Sequence, residues 1–171
     1  LAALGFGAIT RSPVAGAKTP GEVEIGQLLR EATMQGLNGP SRNLSAFRGT
    51  PLVINVWASW CPPCRQEMAS LERLAWREPT GQFTVIGIST DDYPDRARAA
   101  LRSSNATINH FIDSKLLLEN MLGASQLPLT VLVDANGRVL DKIVGAREWD
   151  SPESLKLIAR TFRNNKIAPI P

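Results

Sequence analysis

Residues 51–57 (Pro-Leu-Val-Ile-Asn-Val-Trp) form a nearly continuous apolar run. A strand with one wet face alternates polar and apolar residues, so a run without alternation belongs to a strand covered on both faces. A second such run, Phe83 to Ser89, follows after room for one helix. Between them Met68, Leu71, Leu74 and Ala75 recur at helical spacing and predict a helix over 62–77. The unit is therefore β-α-β, with the polar sequence around the helix start placed at the end of a central strand.

The remaining elements follow from local signals. Gln27 to Arg30 reads as the start of a short helix. Residues 31–37 and 40–44 read as a hairpin, with Asn38-Gly39 supplying the positive φ of a tight turn. An Ala-rich helix is predicted over 94–103, a short strand over 110–113, and a helix over 115–122 that Gly123 ends. Leu129 to Asp134, Asn136-Gly137 and Arg138 to Val144 form a second hairpin. Ser151 caps the last helix, Pro152 takes its first position, and Leu155, Leu157, Ile158 and Phe162 give its apolar face. The fold class is α/β: a central mixed sheet flanked by helices, with an N-terminal β-hairpin and a central βα insertion.

With 171 residues, 43% of them hydrophobic, the chain supports one domain with its own core. The net charge of +3 comes from scattered residues; no Lys/Arg run or basic-aromatic stripe exists, which argues against a nucleic-acid partner. Leu1 to Thr10 carry no charge and are shorter than the roughly 20 residues that span a bilayer. They read either as the trailing end of a signal or anchor segment or as a small apolar tail. Residues 11–22 are rich in Pro, Gly and Ala. The expected organisation is a flexible leader over 1–24 and one domain over 25–171.

Only two cysteines occur, Cys61 and Cys64, with Pro62 and Pro63 between them. A disulfide across so small a loop constrains the unfolded chain little, so the spacing suits a reactive pair better than a staple. Cys61 falls at a helix N-terminus, where unpaired N–H groups and the helix dipole favour a thiolate. It is the expected exposed nucleophile, and Cys64, one turn in, the thiol that resolves a mixed disulfide. The prolines preset helical φ but remove two donors, so the fall in the Cys61 pKa should be moderate, as suits a reductant. A four-ligand metal site lacks its ligands, since there is no second C-x-x-C and His110 is the single histidine. A two-thiolate Cu(I) carrier is the competing reading. No metal ligand is assigned, and no cofactor beyond a redox-active Cys61–Cys64 disulfide. A thiol peroxidase is disfavoured because the residues before Cys61 lack its Pro-x-x-x-Thr/Ser-x-x-Cys pattern.

The segment Val56-Trp57-Ala58-Ser59-Trp60-Cys61-Pro62-Pro63-Cys64-Arg65-Gln66-Glu67 resembles the active-site segment of TlpA-like and ResA-like thioredoxin-fold thiol-disulfide oxidoreductases. The resemblance extends over about residues 25 to 163. It includes Phe47 to Pro51, Gly123 to Asp134, and Gly145 to Ser151; the last segment looks nearest to the TlpA branch. The resemblance implies that Cys61 attacks and Cys64 resolves. It implies that Pro128 is a cis-proline opposite the dithiol, although a proline there also suits a strand edge. Leu127 would offer its backbone to an extended client, with Trp60 and Pro62 bordering the same surface; Trp60 also suits simple surface packing. Glu67 matches a glutamate beside the dithiol that would raise the neighbouring thiol pKa and relay a proton; the alternative is a solvated helix glutamate. Asn55 stands where cytosolic thioredoxins carry a buried aspartate.

The resemblance further implies a periplasmic protein held to the inner membrane by an N-terminal helix that this chain lacks. Its reductant would be a membrane thiol-electron transporter. Its clients would be a copper-delivery protein or the copper-binding subunit of cytochrome oxidase, then apocytochrome c. The residues after Pro128, Leu129-Thr130, do not match the Glu-Thr pair typical of the CcmG branch, which favours the TlpA branch. The expected state is a monomer.

Overall fold

The computed structural model describes residues 19–77 and 82–164; the expectations placed on residues 1–18 lie outside them. Seven strands, β1 (Thr33–Gly36), β2 (Arg42–Asn43), β3 (Leu52–Trp57), β4 (Thr84–Ser89), β5 (Asn109–Ile112), β6 (Leu129–Val133) and β7 (Val139–Val144), form one sheet in the order β2-β1-β5-β4-β3-β6-β7. Four helices join them: α1 (Pro62–Ala75), α2 (Pro94–Ser103), α3 (Leu117–Leu122) and α4 (Pro152–Asn164). β3, β4 and β5 run parallel, while β6 pairs antiparallel with both β3 and β7. The sheet is mixed and helix-flanked, as the apolar runs predict.

All six residues of β3 are buried, and alternate side chains serve different layers. Val53 meets Leu71 and Leu74 of α1 and Ile158 of α4 in one cluster, and Trp57 meets Cys64, Met68 and Ala97 in another. Leu52, Ile54 and Val56 join a third cluster with Leu118, Met121 and Leu122 of α3. Thus α1, α2 and α4 cover one face and α3 the other. The crossovers β3–α1–β4 and β4–α2–β5 lie on the same face, as a constant hand of crossover requires for strands added successively in one direction.

The N-terminal stretch differs from the sequence expectation. Residues 27–30 are not helical; they run along the start of β7, with Val139 N–H donating to the Gln27 carbonyl and the Gly26 and Leu29 N–H groups donating to Val139 and Gly137 carbonyls. Gly26 has φ +90°, a poor helix start, and edge pairing satisfies the backbone instead. The hairpin β1–β2 forms, with Thr33 opposite Asn43, but Asn38-Gly39 is not a positive-φ turn. The Asn38 side chain instead donates to the Ile108 carbonyl and accepts from His110 N–H, each at 2.8 Å, extending the ladder toward β5. Val23 is buried in the core, and its N–H donates to the Met121 carbonyl. The second hairpin has its turn as expected, with Gly137 at φ +88°, and Ser151 caps α4 through a bond from Ser154 N–H.

Candidate active site

β3 delivers its last residue, Trp57, to the edge of the sheet where the parallel strands end. The chain then turns through Ala58–Trp60 and enters α1 with Cys61 as N-cap. Helix N-termini leave their first N–H groups without partners. Here Pro62 and Pro63 have none to offer, so Cys64 N–H is the first free donor, and it points at Cys61 Sγ at 3.3 Å. That bond and the helix dipole both stabilise negative charge on Cys61 sulfur. The two cysteines form a disulfide with Cα atoms 5.3 Å apart. Cys61 keeps 4% of its surface and Cys64 none. The expected asymmetry is present in direction, but in the disulfide Cys61 is nearly covered rather than exposed.

Around the pair, Trp60 is 66% exposed and Pro62 and Pro63 stand in solvent. Leu127, half-buried, packs against the cluster that holds Cys61 and Cys64. The Leu127–Pro128 bond is cis, as the resemblance implies. Pro128 is buried, and its carbonyl accepts from Gly145 N–H at 2.9 Å.

Glu67 is not a solvated helix residue; it is 1% exposed. It lies three positions after Cys64, on the same face of α1. Its carboxylate accepts from Asn55 Nδ2 at 2.7 Å, from the Trp149 indole N–H at 2.8 Å and from Arg147 N–H at 3.0 Å. Burial pushes its pKa above the ordinary carboxylate value, against the pull of those three donors. Asn55 also donates to Thr130 Oγ1 at 3.1 Å, while its Oδ1 is buried without a partner. A half-turn of this amide would present Oδ1 to a protonated Glu67, so Asn55 can serve either protonation state. An aspartate at position 55 would instead set two buried carboxylates against each other.

The sequence singled out Glu67 and Asn55 but not the donors Arg147 and Trp149. Both lie in the segment 145–151, which is fastened to α1 through Ser70: its Oγ donates to the Arg147 carbonyl at 3.2 Å and accepts from Trp149 N–H at 3.0 Å. The only earlier sign was that this segment shares in the family resemblance. His110, the single histidine, lies in β5, away from any group of ligands. Among the described residues no three His, Cys, Asp or Glu side chains gather as a metal site would require. His110 Nδ1 accepts from the Trp57 indole N–H at 3.1 Å, and burial lowers its pKa to about 3.

The sequence and the fold are similar to those of known proteins. The family model for Redoxin matches residues 24–158. The chain belongs to the Redoxin family. A thiol:disulfide interchange protein DsbE from Vibrio cholerae is 33% identical over 133 residues, covering 74% of this chain and 70% of its own. A thiol-disulfide oxidoreductase ResA from Bacillus cereus is 23% identical over 132 residues, covering 77% of this chain and 76% of its own. Among solved structures, a putative DsbE from Chlorobium tepidum superposes with TM-score 0.75 at 25% identity, over 82% of this chain and 99% of that one. This Redoxin protein thus has the thioredoxin fold expected from its sequence, and it is a thiol-disulfide oxidoreductase of the DsbE/ResA type. Among its described residues no helix is long and apolar enough to cross a membrane.

Proposed function

We propose that the protein reduces disulfides of client proteins in the periplasm, with Cys61 as the attacking and Cys64 as the resolving thiol. The observation that carries this reading is the Cys61–Cys64 pair at the N-terminus of α1, backed by the buried Glu67 carboxyl. Starting from the dithiol, the Cys61 thiolate attacks one sulfur of the client disulfide and forms a mixed disulfide, expelling the other client sulfur as a thiolate. Cys64 then loses its proton and attacks Cys61 Sγ. The second client thiolate leaves, the Cys61–Cys64 disulfide forms, and two electrons have passed to the client. Glu67, one turn beyond Cys64 with a raised pKa, takes up the Cys64 proton. The client chain lies against Leu127, Trp60 and Pro62, and Pro128 closes the far side of the pair.

Electrons return from a membrane thiol transporter, and an N-terminal helix beyond this chain anchors the protein. The favoured clients are proteins whose cysteines must be reduced to take copper, a copper-delivery protein or the oxidase copper subunit; apocytochrome c comes next. Leu129 supports that order: the position after Pro128 is a buried apolar residue in β6 rather than an acidic one at the site. A Cys64→Ser variant in the native host tests this by accumulating mixed disulfides. Copper-handling proteins in the trapped set are the expected result. Apocytochromes c alone would reverse the order of clients. No adduct, with tight Cu(I) binding by the wild-type dithiol, would replace the reductase by the carrier.

A further inference from the structure

The turn Ala58–Trp60 must hold Cys61 at the tip of α1, yet its own sequence contains no proline to stiffen it. Two bonds come from the backbone: Cys61 N–H donates to the Ala58 carbonyl at 3.2 Å, and Thr90 N–H to the Trp57 carbonyl at 2.9 Å. The rest come from one side chain just past β4. Asp91 is 1% exposed, and its carboxylate accepts from Ser59 N–H at 2.9 Å, from Ser59 Oγ–H at 2.6 Å and from Ser89 Oγ–H at 2.7 Å. Its own N–H donates back to Ser89 Oγ at 3.1 Å. A buried carboxylate must be surrounded by donors, and two of these three belong to the residue two positions before Cys61. The closed set Asp91–Ser89–Ser59 locks the end of β4 to the turn that carries the nucleophile.

We infer that Asp91 is a positioning residue for Cys61: it fixes Ser59, and through Ser59 the angle at which Cys61 Sγ meets the Cys64 N–H. This rests on the reading of Cys61 as the attacking thiol. Loosening the turn removes the aligned donor and leaves the Cys61 thiolate less stabilised. Asp91→Asn replaces one acceptor oxygen by an N–H donor, so the Ser59 hydroxyl must turn from donor to acceptor and the charge that holds the turn is lost. Ser59→Ala removes only the 2.6 Å bond and, at a half-buried position, leaves the fold in place.

The test uses the reduced protein and two readouts, the pH dependence of Cys61 alkylation by iodoacetamide and the rate of insulin disulfide reduction. Asp91→Asn should slow insulin reduction about tenfold, and Ser59→Ala about threefold, as expected when a reacting atom is displaced by a fraction of an ångström. Both should move the alkylation profile to higher pH, and the double variant should be no slower than Asp91→Asn alone, because the two residues act as one unit. Profiles that superimpose on the wild type, even with a lowered melting temperature, would reduce Asp91 to a structural cap. Should Asp91→Asn fail to fold, Ser59→Ala decides alone, and an unmoved profile there overturns the inference. Failure of the wild type to reduce insulin would count against the proposed function instead, and alkylation would still report on Asp91.

Discussion

At the scale of single residues, the site is governed by which polar groups are buried together. A carboxyl 1% exposed survives only with donors around it, and Glu67 has Asn55, Trp149 and the Arg147 backbone. Its raised pKa keeps part of its protons at a pH where an exposed glutamate has lost them, which fits a group that takes a proton and returns it. Glu67→Gln should leave the protein folded, since Asn55 can turn its unpartnered Oδ1 toward the new amide. Reduction of a protein disulfide should slow about a hundredfold or more, as when a general acid–base is removed, and the lower limb of the pH–rate profile should vanish. An unchanged profile would mean that Glu67 only fills space behind Cys64.

At the scale of elements, β5 holds a second buried titratable group whose sign is opposite. His110 sits against Gly87 of β4 so closely that a Cβ there would come within 2.0 Å of its Nδ1. Its pKa falls from 6.5 in the unfolded chain to about 3 in the folded protein. Between those values the unfolded state binds more protons, so stability is full above pH 6.5 and declines as the pH falls toward 3, by about 5 kcal/mol in all. Glu67, with its pKa raised, works the other way and regains stability as it is protonated. Urea unfolding between pH 7 and 4 should show the net decline in the wild type and a flatter curve in His110→Gln; equal slopes would remove His110 as the cause. What the sequence showed of these elements was what neighbours along the chain decide: the apolar run of β3, the Asn136-Gly137 turn and the Ser151-Pro152 helix start. Gln27–Arg30 misled because its partner, β7, is more than a hundred residues away. Asn38 misled because a residue typical of turns is used instead as a side-chain rung on β5. Trp149 and Asp91 carried no local mark at all, since each matters only through an element that the fold brings to it.

At the scale of the whole molecule, the dithiol is held from three sides by parts of the chain far apart in sequence. The turn before Cys61 is tied to the end of β4, Leu127 packs against the pair from the loop before β6, and the segment 145–151 reaches α1 from beyond β7. Arg73 of α1 also pairs with Glu148 and Asp150 of that segment, but Arg73 and Glu148 are largely exposed and solvent screening leaves such pairs little net weight. The buried Trp149 and its bonds to Ser70 and Glu67 are what fix the segment. Within this frame Cys64 is fully covered and Cys61 keeps a sliver of surface, the asymmetry by which we propose that Cys61 reacts first. The direct measurement is a single turnover of each reduced single-cysteine variant with a protein disulfide, followed by mass spectrometry of the trapped adduct. Cys64→Ser should form a stoichiometric mixed disulfide at Cys61, and Cys61→Ser should form almost none. Equal trapping by both variants, or an adduct through Cys64 alone, would contradict the account.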